Sequence, residues 1–222
     1  MNFTSWQRLS AELLGTAGIV AVVLGTSHMA ASLEAAPAID LIMNALATAG
    51  VLFVLISLFG SISGSHFNPV VTLALLIRKE ITASVAASYS LAQIAGAVLG
   101  AALANLMFTN QAIAFSLVER AGTAVFLGEV VASFGLVFLI LVLAQQGKDS
   151  LIPVAVPLWI LAGYFFTVST SFANPAVTIG RAFSDAGSSI AWSSAPMFIA
   201  AQVIGALLAV GAAVLLKSRT ER

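Results

Sequence analysis

The sequence Asn-Pro-Val-Val-Thr at residues 68–72 returns as Asn-Pro-Ala-Val-Thr at residues 174–178. Asparagine is among the best helix N-caps, and a proline in the first helical position loses no required hydrogen bond. Each copy therefore predicts a helix that begins at its proline, Pro69 in the first copy and Pro175 in the second. One Asn-Pro pair is typical of an ordinary turn, but two related copies indicate a repeated structural unit.

The composition around these motifs is that of a membrane protein. Of the 222 residues, 60% are hydrophobic and 8% are charged, with a mean hydropathy of +1.06. Soluble domains have about 25% charged residues, so this chain lacks the charge to cover a water-exposed surface. Nine basic and nine acidic residues leave no basic excess for nucleic acid. With no cysteine and only two histidines, we expect no metal site and no cofactor.

Six apolar stretches are long enough to cross a bilayer core of about 30 Å as helices. They occupy residues 8–26, 41–60, 81–108, 122–143, 151–168 and 192–216. Two further apolar segments, 67–77 and 173–183, are too short to span and contain the Asn-Pro motifs. Backbone at membrane depth must be buried in protein or line a wet cavity. We therefore predict an all-α membrane protein with six transmembrane helices and two re-entrant half-helices.

Other residues recur in the same order as the motifs. Glu12 in the first span has a counterpart in Glu129 of the fourth, and Gln93 in the third corresponds to Gln202 in the sixth. Because each half holds three spans, an odd number, the second half lies upside down relative to the first. Such inverted repeats place substrate sites near the bilayer midplane. Within one domain, 1–222, the two predicted repeats occupy residues 1–110 and 120–222.

The inverted arrangement predicts that the half-helices meet N-terminus to N-terminus. Each N-terminus carries about half a positive charge, so the pair forms a barrier to cations. The side-chain oxygens of Asn68 and Asn174 cap their own helices, which leaves amide N–H groups to face a passing solute. The predicted pore midplane consists of Asn68, Pro69, Val70, Asn174, Pro175 and Ala176.

Charge placement predicts the orientation, because basic loops stay in the cytoplasm. With six spans, one side of the membrane holds Arg8, Arg78, Lys79, Lys148, Lys217, Arg219 and Arg222. The other side holds only Arg120 and Arg181. Both termini are therefore expected in the cytoplasm.

The chain resembles a known family, the aquaporins or major intrinsic proteins. Ala-Glu-Leu-Leu-Gly-Thr at 11–16 resembles the family's opening, Ser-Gly-Ser-His-Phe-Asn-Pro-Val at 63–70 its first pore loop, and Ala-Asn-Pro-Ala at 173–176 its second. The resemblance covers nearly the whole length. It implies six tilted helices, two half-helices, a pore in each subunit and a homotetramer, and we expect a multi-pass protein of the cell inner membrane.

Two positions depart from the family's pattern. Val70 stands where the first motif usually has alanine, a change that the family tolerates. Val177 stands where an arginine normally follows the second motif and lines the outer constriction, the aromatic/arginine filter. Counting without gaps from the two asparagines carries the other filter positions to Thr48, Ala162 and Ser171. This predicted filter has no aromatic residue, histidine or charge, so we expect it to be wide.

A wide, uncharged filter favours a passive channel for small neutral solutes and water, and no enzyme activity is indicated. The expected solutes are glycerol-like polyols, urea and trihydroxylated metalloid acids such as arsenous acid. With Val177 at this position, the chain also resembles the S-type bacterial aquaporins of arsenic-resistance operons, which conduct metalloid and methylated arsenic species. Two alternatives remain open: a water-selective aquaporin, and a proton-coupled transporter on an inverted-repeat fold.

The polar residues near the motifs each allow two interpretations. Glu12 and Glu129 either accept hydrogen bonds from the re-entrant loops, as the resemblance favours, or couple transport to protons. Gln93 and Gln202 either brace the loops or touch the solute. His66 either lines the inner vestibule as a pH sensor or is a neutral side chain hydrogen-bonded within its loop.

Arg181 falls four residues after Val177, one helical turn farther along and on roughly the same face. It either supplies part of the missing filter charge, or it reaches the interface and pairs with a neighbour such as Asp185. The first alternative narrows the filter and the second leaves it wide.

Overall fold

The computed structural model describes residues 3–109 and 111–216. Lys217, Arg219 and Arg222, which entered the charge count, lie outside the described residues. In chain order the helices are α1 (Ser5–Ser32), α2 (Pro37–Ser63), α3 (Pro69–Ile77), α4 (Ala83–Phe108), α5 (Thr123–Gln145), α6 (Ile152–Phe166), α7 (Pro175–Arg181) and α8 (Ala195–Leu215). A single 3₁₀ turn, Asp149–Leu151, leads into α6. The described ranges contain no strand.

Six of these helices are long and apolar enough to cross a membrane, with α6 counted together with its 3₁₀ turn. The prediction of six spans and two half-helices is therefore confirmed. α1 and α2 continue past their predicted ends at residues 26 and 60. In α1 the extra turn stays inside the protein, because Ser27 Oγ accepts a hydrogen bond from Ser188 N at 3.0 Å. α2 ends at Gly64, whose φ of +88° turns the chain into the first loop.

The two halves of the chain pack alike. α1 packs against α2 and α4, while α5 packs against α6 and α8. Small residues permit the closest crossings: a Cβ on Gly96 of α4 would overlap the Leu13 carbonyl of α1, and a Cβ on Gly205 of α8 would overlap the Val130 carbonyl of α5. α2 packs against α6, which joins the two halves. α3 and α7 contact each other in the interior.

Both half-helices begin as their sequences predict. Asn68 and Asn174 are extended N-cap residues, and each is followed by a proline in the first turn. Asn68 Oδ1 accepts a hydrogen bond from Val70 N at 3.0 Å, and Asn174 Oδ1 accepts one from Ala176 N at 3.0 Å. The side-chain oxygens are thereby committed to the helix ends, so only the amide nitrogens are available for other partners.

Candidate functional site

The two asparagines tie the re-entrant loops to each other. Asn68 Nδ2 donates to the carbonyl of Ala173 at 2.7 Å, and Asn174 Nδ2 donates to the carbonyl of Phe67 at 2.8 Å. Both side chains also line a central cavity. An amide nitrogen carries two N–H groups, so each asparagine keeps one donor for a molecule in that cavity.

The other four motif residues start the half-helices but do not line the cavity. Val70, Pro175 and Ala176 are buried and Pro69 is half-buried. These residues shape the midplane by fixing the geometry of the helix ends, because the prolines restrict φ in the first turn. The bulk of Val70, relative to alanine, is taken up by the core and not by the cavity.

Glu12 holds the first loop from behind. One carboxylate oxygen accepts from Ser63 Oγ at 2.6 Å and from His66 N at 3.0 Å. The other accepts from Phe67 N and from Gln93 Nε2, both at 2.7 Å. Two backbone N–H groups of the loop thus point at the buried Glu12 carboxylate, which orients the carbonyls of that loop away from it.

Glu129 does the same for the second loop. Its two oxygens accept from Phe172 N and Ala173 N, both at 2.9 Å, and Gln202 Nε2 donates to it at 2.6 Å. Gln202 Nε2 also lies 2.9 Å from Thr178 Oγ1. Glu12, Glu129, Gln93 and Gln202 are all fully buried and lie outside the cavity lining. These four side chains therefore support the loops, and none of them borders the cavity that a solute would occupy.

The cavity has a volume of about 110 Å³ and two chemically different sides. Its apolar wall comes from α1, α2, α5 and α6, with Ile19, Val23, Ile56, Leu136, Ile140, Val156 and Ile160. Its polar stripe comes from the two loops, with Ser65, His66, Asn68, Ser171 and Asn174. Ser65 Oγ and Ser171 Oγ are buried without a hydrogen-bond partner in the described part of the protein. These hydroxyls are therefore available to a molecule in the cavity.

His66 lines the cavity on the first loop, as expected. Its Nδ1 lies 3.0 Å from Thr72 Oγ1, and its ring packs edge-on to Tyr89 with centroids 5.0 Å apart. The histidine is thus held within its own loop and half-helix, while part of the ring faces the cavity.

Three of the four filter residues carried over from the family line the cavity, and one does not. Thr48, Ser171 and Val177 belong to the lining. Ala162 is exposed on the outside of α6 and is a correction, because Tyr164, two residues farther along the helix, lines the cavity instead. Gly163 between them is pressed against the second loop, since a Cβ there would lie 2.5 Å from Ser171 Oγ.

Tyr164 is the aromatic residue that counting along the sequence missed. Its hydroxyl donates to Asn44 Oδ1 at 2.9 Å and lies 3.0 Å from Thr48 Oγ1. A signal for it existed in the sequence: Ile152, Val156, Ile160 and Tyr164 recur every four residues and share one helix face. All four line the cavity.

Arg181 also lines the cavity, which brings a positive charge to the same lining as Val177. The side chain is only 2% exposed, and its guanidinium lies 3.4 Å from the centroid of the Phe172 ring. Its Nε donates to the carbonyl of Ser188 at 2.6 Å, and Nη2 donates to the same oxygen. It forms no ion pair with Asp185. We call the region lined by Tyr164, Ser171, Phe172, Val177 and Arg181 the arginine end of the cavity.

The family model for "Major intrinsic protein" matches residues 1–168. The chain belongs to the major intrinsic protein family. It is 42% identical to Aquaglyceroporin AqpS of Rhizobium meliloti (strain 1021), over 94% of this chain and 89% of that protein. It is 31% identical to Glycerol uptake facilitator protein-like 6 of Lactiplantibacillus plantarum, over 90% of this chain and 93% of that protein. It is therefore a multi-pass membrane channel, and not an enzyme.

The fold is shared with a solved structure of the same kind. The X-ray structure of the aquaglyceroporin from Plasmodium falciparum superimposes with a TM-score of 0.74 and covers 94% of this chain and 95% of that one. Sequence identity between the two is 18%. The arrangement of six spans around two half-helices is thus kept at low sequence similarity.

Proposed function

We propose that this protein is a passive channel for glycerol-like polyols and other small neutral solutes, together with water. The observation that supports this most is the two-sided cavity, with an apolar wall opposite a stripe of hydroxyl and amide groups. A polyol has the matching chemistry, since its hydroxyl groups lie along one edge and its C–H groups along the other. In the cavity, such a solute replaces its hydrogen bonds to water by hydrogen bonds to the polar stripe. Its carbon chain leaves water and contacts the apolar wall.

The relatives support the same solute class. One carries the name aquaglyceroporin and another the name glycerol uptake facilitator. We extend the proposal to arsenous acid and related metalloid or methylated arsenic species, because a neutral trihydroxylated acid presents the same number of hydroxyl groups as glycerol. Val177, which is smaller than an arginine, leaves room for such a solute at the arginine end.

A second candidate is a water-selective pore, and Arg181 with Tyr164 favours it. A buried guanidinium and an aromatic ring at one constriction reduce its width and oppose solutes larger than water. The geometry gives less support to a proton-coupled transporter. Within the described ranges no carboxylate belongs to the cavity lining, and Glu12 and Glu129 are both engaged by loop amides.

We further propose a homotetramer in the cell inner membrane with both termini in the cytoplasm, built from inverted repeats at 1–110 and 120–222. The basic residues on the expected cytoplasmic side support the orientation. The homotetramer is what the family resemblance implies, and the large apolar side chains exposed on the outer faces of the helices, such as Leu46 and Leu91, suit contact with lipid and with neighbouring subunits. Each subunit would contain its own pore, because the cavity lies within one chain.

The test is stopped-flow light scattering on proteoliposomes that compares water, glycerol and arsenous acid in one preparation. We expect glycerol and arsenous acid fluxes well above those of protein-free vesicles. Two tryptophan variants of α2 give a matched control: Ile56→Trp fills the cavity, whereas Leu58→Trp adds the same bulk on a side chain that is 58% exposed. The first should abolish all fluxes and the second should preserve them. Fast water flux without solute flux would instead establish the water-selective pore.

A further inference from the structure

Two arginines approach one aromatic ring beside the arginine end of the cavity. The guanidinium carbon of Arg181 lies 3.4 Å from the centroid of Phe172, and that of Arg120 lies 5.3 Å from the same centroid. Arg181 is the last residue of α7, while Arg120 belongs to the segment that precedes α5. Elements distant in sequence therefore bring two positive charges together.

Neither charge is neutralised by an adjacent acid. Among the residues that the structure describes, the only ion pair is Arg78–Glu80, elsewhere on the surface. Arg120 donates instead to the carbonyls of Ser189 and Gly187, at 2.8 and 3.2 Å, as Arg181 does to that of Ser188. A carbonyl satisfies an N–H donor but brings no negative charge, so the pair stays electrostatically uncompensated at close range.

Glu129 is an acidic group that acts on both arginines through space. Its two oxygens are already taken by Phe172 N, Ala173 N and Gln202 Nε2. Two positive charges thus face one negative charge that is directed toward the loop. The surplus leaves a net attraction for an anion in the cavity.

Donors for such an anion are present. A guanidinium has five N–H groups, and Arg181 uses its Nε–H and one Nη2–H on Ser188. Ser171 Oγ belongs to the same stretch of lining, is on a side chain 3% exposed, and has no partner in the described residues. Unused N–H groups of a guanidinium and an unpartnered hydroxyl therefore belong to the lining of the same cavity.

We propose that the arginine end is a binding site for a small carboxylate, which occupies the pore and competes with neutral solutes. The planar guanidinium matches a planar carboxylate in shape and charge, and Arg120 strengthens the site from behind the Phe172 ring without touching the ligand. The inference rests on the proposed conduction of glycerol, since competition is its readout.

The experiment measures glycerol flux with and without formate, the smallest carboxylate. Proteoliposomes are equilibrated at pH 7.5 with sodium formate on both sides, or with sodium gluconate, which is too bulky for the cavity, at equal ionic strength. For an affinity on the order of 10 mM, about 100 mM formate should lower the glycerol permeability about tenfold. Equal permeability in formate and gluconate would overturn the proposal.

Substitutions separate the site from a general salt effect. For each variant the inhibition is the ratio of its own glycerol fluxes in gluconate and in formate. Arg181→Gln should bring this ratio to one, and Arg181→Lys should keep part of the inhibition. Arg120→Gln should weaken inhibition without abolishing it, and it gives a second test if Arg181→Gln does not fold. Arg78→Gln removes a charge outside the cavity lining and should be inhibited like the unmodified protein. Inhibition of full strength in both Arg181→Gln and Arg120→Gln would contradict the assignment.

The two proposals fail in different ways. If glycerol flux equals that of protein-free vesicles in gluconate, the proposed function fails, and formate is then tested against water flux through the same protein. If glycerol passes and formate has no effect, only the carboxylate site is excluded.

Discussion

At the scale of single residues, the arginine end depends on a charge that lies one helical turn beyond Val177. Arg181 is positioned by one carbonyl, that of Ser188, and by the face of Phe172. Its guanidinium therefore lies along the wall of the cavity, where a side chain as small as Val177 leaves the space beside it open. We therefore propose that two different residues determine the charge and the width of the arginine end, so that each property can be changed without the other.

The width is tested by Val177→Arg. A second guanidinium next to Arg181 adds bulk and like-charge repulsion, and we expect glycerol permeability to fall about tenfold, which is roughly 1.4 kcal/mol of barrier. Water permeability should fall much less. The measurement is stopped-flow light scattering of both solutes, with Val177→Thr as a control of nearly the same shape. Unchanged glycerol flux in Val177→Arg would mean that Val177 does not lie at the constriction.

Sequence reasoning named several residues of the cavity lining. Thr48, Ser171 and Val177 came from an ungapped count from the two asparagines, based on the family resemblance, and all three line the cavity. Ala162 was chosen over Tyr164 by the same counting, and two residues along an α-helix correspond to about 200° of rotation. An error of that size moves a residue from the lining to the outer face. Arg181 could be suspected from its spacing, but its support by Ser188 and Phe172 involves contacts that no local pattern reveals.

At the scale of helices, the sequence predicts much more, because apolar length and Asn-Pro caps are local signals. The bounds of five spans and both half-helices follow from them to within four residues, whereas α1 ends six residues later than predicted. The contacts that set the distances between the helices are harder to predict from the sequence. Gly205 of α8 lies so close to α5 that a Cβ would overlap the Val130 carbonyl, whereas a Cβ on Gly211 of the same helix would meet nothing within 4 Å.

This pair of glycines gives a matched test of close packing. Gly205→Ala should destabilise the protein by about 1–3 kcal/mol through overpacking. Gly211→Ala should be neutral or slightly stabilising, because alanine has the higher helix propensity by about 1 kcal/mol. Thermal unfolding in detergent, followed by tryptophan fluorescence, measures both. Equal melting temperatures would show that α5 and α8 can separate without cost.

At the scale of the whole molecule, the charges outside the bilayer predict how the bundle is inserted. Arg120 and Arg181 converge at one end, while Arg78, Lys79 and Lys148 lie in the connections at the ends of α3 and α5. The bias of basic residues toward the expected cytoplasmic side is large for a chain with so few charges. This distribution supports the proposed topology, in which α3 and α7 approach the midplane from opposite sides of the membrane, with their connections on opposite faces.

The natural absence of cysteine makes this orientation directly testable. Ser150→Cys, in the exposed turn before α6, should react with a membrane-impermeant maleimide only when the cytoplasmic side is accessible. Gln111→Cys, exposed between α4 and α5, should react from the outside in intact cells. Labelling in the reverse pattern would invert the proposed topology, and labelling of both from one side would contradict a six-span fold.

The crossed hydrogen bonds between the loops have a consequence for synthesis of the protein. Asn68 needs the carbonyl of Ala173, and Asn174 needs that of Phe67, so neither loop has its final partners until both are in the membrane. A ribosome therefore completes most of the chain before any conducting path exists. Partly made chains hold no finished pore, and a cell that aborts translation midway keeps its membrane sealed.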